Sequence, residues 1–194
     1  SLPASIALIL GSEQIISALF GYGSFDKTAV LNSSLALYYF ALGLPAFALI
    51  KVFSSFFFAN HNTRTPFHIS LISVFLNILI SVYYFNEFGF IIIPIATTIS
   101  SWFNGILLFV FLKNKKLFSF NKIFFTKFIK IFIASILMGF IFQFLLNFFQ
   151  NELAFEQKAK SFYLILSALL GLASYFLICY FIKAFKISDI QLKY

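Results

Sequence analysis

Residues 29 to 59 read AVLNSSLALYYFALGLPAFALIKVFSSFFFA, a long apolar run whose one charged side chain is Lys51. As a helix it would measure roughly 46 Å at ~1.5 Å per residue, against ~30 Å of hydrocarbon in a bilayer. Such a run crosses a membrane with tilt, bend or protrusion, and Gly43-Leu44-Pro45 supplies the expected bend. It stops at Asn60-His61-Asn62-Thr63-Arg64-Thr65-Pro66.

Five more runs of spanning length lie on either side, at about 2–20, 67–86, 90–112, 128–149 and 161–182. The first closes at Gly21-Tyr22-Gly23, with Asp26 and Lys27 in the turn. The third span starts with Thr65 as its expected cap and Pro66 in a first turn that needs no donor there. The fourth has Pro94 near its start and a polar stripe of Thr97, Thr98, Ser101 and Asn104 that faces protein rather than lipid. Between the fourth and fifth, six lysines from Lys113 to Lys130 interleave with five phenylalanines, the pattern of an amphipathic segment lying on anionic lipid. Membrane barrels alternate apolar and polar residues at period two, whereas these runs are apolar nearly throughout, so the expected fold is an all-α integral membrane protein with six transmembrane helices.

Composition agrees. Of 194 residues 61% are hydrophobic and 10% charged, the mean hydropathy is +0.98, and 32 are Phe. A water-soluble domain is excluded. The net charge of +8 belongs to lysines flanking apolar runs, which excludes a nucleic-acid partner and reads instead as topology. With both termini cytoplasmic, the inner segments hold ten Lys and Arg residues and the outer loops three, Lys27, Lys158 and Lys160, as the positive-inside rule requires. Cys179 has no cysteine to pair with and reads as a small packing residue.

Catalysis has little to stand on. The six carboxylates are scattered among separate segments, and no HExxH, P-loop, Asp-x-Asp or His-x-x-x-Asp pattern occurs. His61 and His68 lack carboxylate or cysteine companions, so neither a metal nor a cofactor is expected. Two ionisable residues fall inside spans, where charge is costly. Glu13 follows Gly11-Ser12, a place for a helix to loosen near the outer interface. Lys51 has two readings, a stem that snorkels to the cytoplasmic headgroups or an ammonium facing a cavity and an anionic substrate. Gly43 and Pro45 likewise read either as a hinge between two packings or as a static bend. Thr97, Ser101 and Asn104 read either as interhelical hydrogen bonding or as substrate contacts.

Four strings, in order, resemble the MurJ/MviN family of lipid II flippases. Leu19-Phe20-Gly21-Tyr22-Gly23-Ser24-Phe25 is similar to its LF-x-x-G-x-F turn. Tyr39 to Phe47, with Lys51-Val52-Phe53 and Phe56-Phe57-Phe58-Ala59, is similar to its Y-x-x-GLP-x-F…KV…FYA helix. Thr63-Arg64-Thr65-Pro66 is similar to the D-T-R-T-P cytoplasmic turn, with Asn62 where the family has aspartate. Ala96-Thr97-Thr98 and Trp102-Phe103-Asn104 are similar to A-T-S…W-x-N, with Pro94 a departure just before it.

The resemblance implies a fourteen-helix, two-lobe flippase fold of the multidrug/oligosaccharidyl-lipid/polysaccharide exporter superfamily, of which this chain holds the last six helices. Residues 1–113 would close the second lobe, 114–127 form a basic, aromatic interfacial linker, 128–183 the final helix pair beside a polyprenyl groove, and 184–194 a cytoplasmic tail. It further implies alternating-access transport of lipid-linked peptidoglycan precursor to the outer leaflet of the bacterial inner membrane, without covalent change. The partners are that precursor, membrane lipids and the earlier helices of the same protein, where the family's cavity arginines and aspartate mainly lie. An exporter of another lipid-linked oligosaccharide and a non-transporting scaffold subunit are the competing expectations.

Overall fold

The computed structural model describes residues 1–115 and 122–184. Every regular element among them is helical: α1 (Leu2–Leu10), α2 (Ser12–Phe20), α3 (Lys27–Ala59), α4 (Arg64–Phe88), α5 (Ile92–Asn114), α6 (Lys122–Phe148) and α7 (Lys160–Phe181). Residues 116–121 and 185–194, with part of the expected basic linker and most of the tail, lie outside the described residues.

Length and hydropathy qualify α3, α6 and α7 as membrane spans, together with the 51-residue stretch Arg64–Asn114. That stretch would reach roughly 77 Å as one straight helix. It folds back instead: Gly89 ends α4 at φ 59, a conformation open to glycine at little cost, and α4 and α5 pack along each other as a hairpin. The hairpin therefore makes two passes. The α1–α2 pair passes the same test only jointly, bent by 75°. With it the count reaches the six runs read from the sequence.

The boundaries correct several expectations. The first run is not one helix, because the chain breaks at Gly11, where an added Cβ would stand 3.0 Å from the Phe142 ring. By contrast, α3 stays helical through Pro45, although the proline lacks the N–H that the Ala41 carbonyl would otherwise receive, so any bend at the expected place leaves the helix unbroken. Helix α6 starts at Lys122, so the last part of the expected 114–127 linker is helical, and the stretch that qualifies as a span begins at Phe124.

Thr65 is not the cap of the third span either. Helix α4 begins at Arg64 with Thr63 at the capping position, and Thr63 makes no side-chain bond. Asn62 does that work: its Oδ1 accepts the Thr65 N–H at 3.1 Å and its Nδ2 donates to the Thr65 hydroxyl at 3.0 Å. Asparagine is as good an acceptor here as aspartate. Just before it, His61 adopts φ 55 and closes α3, its N–H bonding Phe58 O while Asn62 N–H bonds Phe57 O. This is the two-bond helix ending usually built on glycine.

By contacts the chain forms two compact units, which cut across the expected boundary at residue 113. One runs from Leu35 through α5; the other joins Leu2–Ser34 to α6 and α7. In the first, Phe53, Phe57, Ile69, Leu108 and Leu112 form the core. In the second, α6 presents Ala134, Met138, Phe142 and Leu146 at four-residue spacing to Leu164, Tyr175 and Cys179. Outward faces carry large apolar side chains, Tyr83 at 77% and Phe140 at 69% exposure among them. Lipid is the solvent that such faces fit.

Candidate functional site

Most of the polar side chains singled out above lie in the first unit, along α5. There Asn77 of α4 donates to Thr97 Oγ1 at 3.1 Å and to Ser100 Oγ at 3.3 Å. Further along the hairpin, Asn104 Nδ2 reaches Ser70 Oγ at 3.5 Å, the outer limit of a hydrogen bond. Residue numbers fall on α4 as they rise on α5, as an antiparallel pair requires. Ser101 bonds back to Thr97 O at 2.6 Å, keeping its hydroxyl within its own helix. Asn104 Oδ1 and Ser81 Oγ are buried and have no partner among the described residues.

The other side of α5 meets α3. Thr98 Oγ1 donates to Tyr39 O at 2.6 Å, and Trp102 Nε1 donates to Leu42 O at 3.1 Å. These two carbonyls bracket the turn that Pro45 weakens, so α5 supplies donors where the proline disturbs the helix ladder. Gly43 makes the approach feasible, since a Cβ there would stand 3.0 Å from Thr98 Oγ1 and 3.3 Å from the Phe47 ring. Gly43, Pro45, Thr98 and Trp102 therefore form one joint between two helices.

Lys51 does not join this cluster. Its side chain is exposed, roughly 140° around α3 from the buried Ala46 at about 3.6 residues per turn. Of the turn Thr63-Arg64-Thr65-Pro66, Thr65 is held by Asn62, Pro66 is buried, and Thr63 and Arg64 are exposed.

Three participants escaped the sequence reading. Asn77 is one; with Ser70, Ser73 and Ser81 it forms a stripe at helical spacing on α4, a signal that matches the stripe on α5. Lys160, in the second unit, is another. Counted from sequence as an outer-loop charge, it is 1% exposed. Its Nζ donates to Gly21 O at 2.7 Å and Phe155 O at 2.8 Å. The same ammonium sits 4.3 Å from the Tyr22 ring centroid and 4.6 Å from that of Phe155.

Its neighbour Ser161, the third, donates to Ala18 O at 2.7 Å and lies 2.8 Å from Tyr22 Oη. The start of α7 thus caps the carbonyls ending α2, where the helix dipole favours a cation. No single-sequence signal marks Lys160, because its partners are backbone carbonyls more than a hundred residues away or in a loop.

These features define a polytopic helical membrane protein whose spans are joined by buried hydroxyl, amide and ammonium donors to carbonyls. The family model described as lipid II flippase MurJ matches residues 1–181, and the chain belongs to that family. Relatives named probable lipid II flippase MurJ include one from Rickettsia prowazekii, 33% identical over 71% of this chain and 26% of its own length. The Thermotoga maritima protein is 36% identical over 79% of this chain and 31% of its own, and that of Rhizobium meliloti 41% over 56% and 20%. The chain therefore spans less than a third of these relatives. A solved structure of lipid II flippase MurJ in an inward closed conformation has the same fold, with TM-score 0.75 at 24% identity over 94% of this chain and 36% of that one.

Proposed function

We propose that this chain is the C-terminal part of a flippase that moves lipid-linked peptidoglycan precursor from the inner to the outer leaflet of the bacterial inner membrane by alternating access. The observation that carries the proposal is the family match over residues 1–181. The physics agrees with it: a sugar-peptide-pyrophosphate head cannot enter hydrocarbon unaided, since its charges and polar groups would lose water. A lined cavity between helices removes that cost, and this activity belongs to the whole protein, with the earlier helices as partners. Both ends of this segment face the cytoplasm in our reading, on the ten-to-three lysine and arginine imbalance. Residues 1–113 close the second lobe and 128–183 form the final pair.

Within that cycle the roles follow position. The joint of Gly43 and Pro45 with Thr98 and Trp102 is where α3 flexes, because its carbonyls can exchange helix partners for α5 donors. Lys51, exposed on α3, contributes one positive charge to the substrate pathway. Thr97, Ser101 and Asn104 border that pathway through the α4–α5 interface, where Asn104 Oδ1 still has acceptor capacity. The Thr63-Arg64-Thr65-Pro66 turn holds the cytoplasmic end.

The test uses the complete protein in a bacterium depleted of its own flippase. Depletion alone should leave precursor on the inner leaflet. Lys51→Ala and Pro45→Ala should each reduce its outward transfer at normal expression. Unchanged transfer and viability in both would remove those two roles, and a complete protein that leaves precursor on the inner leaflet would remove the proposal.

A further inference from the structure

The second unit contains a cavity of about 390 Å³ between the start of α2, the start of α3 and the end of α6. Its polar lining is Glu13, Gln14, Ser17, Lys27, Asn147 and Gln150, with Leu146 and Phe155 among the apolar walls. Ser17 is 6% exposed, and its Oγ has no hydrogen-bond partner among the described residues. A buried hydroxyl in this condition calls for a partner. Asn147, also in the lining, accepts at Oδ1 from Gln143 Nε2 at 3.2 Å, which leaves its amide donors uncommitted.

We propose that this cavity binds a zwitterionic lipid head group of the phosphoethanolamine class. The lining holds one carboxylate and one ammonium. An anionic ligand would leave Glu13 opposed to it, and a cationic ligand would leave Lys27 opposed. A zwitterion satisfies both. Its phosphate suits Lys27, the Ser17 hydroxyl and the amide donors; its primary ammonium suits Glu13 and the amide oxygens of Gln14 and Gln150. A quaternary ammonium has no N–H to give them.

Depth and surroundings point to a lipid. Gln150 lies two residues past the end of the α6 span at Phe148, so the cavity opens at headgroup level. Beside it Phe144 and Phe148 stack, centroids 6.3 Å apart, at 66% and 69% exposure. Leu19 and Phe20 at the end of α2 are 61% and 56% exposed. Acyl chains would run along these side chains.

The test is native mass spectrometry of the full-length protein released from nanodiscs of equal phosphatidylethanolamine, phosphatidylglycerol and phosphatidylcholine. The wild type should retain phosphatidylethanolamine about tenfold over the other two. Glu13→Gln should erase the preference over phosphatidylglycerol, and Lys27→Gln should cut retention about tenfold. Gln150→Leu, on the rim, should cut it about threefold and keeps the test valid if a charge variant fails to fold. Soluble glycerophosphoethanolamine should compete with the retained lipid. Equal retention of all three lipids by the wild type, or unchanged preference in correctly folded variants, would overturn the proposal. Capture of the soluble zwitterion without retention of any lipid would overturn its lipid source. None of these readouts depends on flipping.

Discussion

The two units of this chain solve one problem with different chemistry. Around α5, the helices are joined by neutral donors spread along the membrane: Asn77 to Thr97 and Ser100, Thr98 to Tyr39 O, Trp102 to Leu42 O. Around α7, the joint is concentrated at one end, where a single buried ammonium and a hydroxyl hold Gly21 O, Phe155 O and Ala18 O. Neutral interhelical bonds are individually weak, because the alternatives in a membrane also find partners. A buried ammonium is the opposite case: well satisfied it is firm, and removing it strands two carbonyls at once. The first arrangement suits helices that must shift, and the second suits helices that must stay docked.

Removing the ammonium should give the largest effect. Lys160→Met in the full-length protein should cost about 3 kcal/mol, from lost charge-assisted bonds and orphaned carbonyls. It should also speed hydrogen exchange at the end of α2 and the start of α7 while leaving α4 and α5 unchanged. Equal acceleration in both units would break the contrast.

Crowding the α3–α5 joint comes next. Gly43→Ala, with its Cβ 3.0 Å from Thr98 Oγ1, should cost about 1–2 kcal/mol by overpacking. Gly105→Ala on the facing helix, whose Cβ would meet Ile50 at 3.8 Å, should be neutral or stabilising by up to about 1 kcal/mol. Thermal melting in detergent separates the pair, and equal losses would show that close approach is not the reason for glycine at residue 43.

Smaller effects sharpen the local accounts. Asn62→Ala should cost about 1 kcal/mol as a lost cap, whereas Asn62→Asp should keep it, both read by the same melting experiment. Asn77→Leu should cost only about 0.6 kcal/mol, with faster exchange confined to α4 and α5. A loss as large as that of Lys160→Met would refute the view that this interface is held by many weak bonds.

What the sequence made legible follows from the solvent. Spanning length and near-continuous apolarity located the spans α3 to α7 and the bent α1–α2 pair, because lipid forces every backbone group into helix. Glu13 was placed beside a loosened helix on the strength of Gly11, and the chain does turn there. The size of that turn was not legible, and neither was the packing at Gly11, since the ring that meets it belongs to Phe142, far along the chain. At Pro45 the sequence showed a place for α3 to bend, but not that the helix runs on through it, nor that Thr98 and Trp102 of α5 donate to Tyr39 O and Leu42 O just before it. The stripe on α5 was visible by its spacing, while its partner on α4 was overlooked among serines. Lys160 was invisible, since a lysine that opens an apolar helix looks like an interfacial charge unless its carbonyl partners are known.

The central claim is that the complete protein carrying this segment flips lipid-linked peptidoglycan precursor. Its most direct test expresses that protein in a bacterium depleted of its own flippase and measures how much precursor becomes accessible on the outer leaflet. Restored growth together with restored outer-leaflet precursor is the predicted result. Membrane-inserted protein that leaves the precursor on the inner leaflet would contradict it.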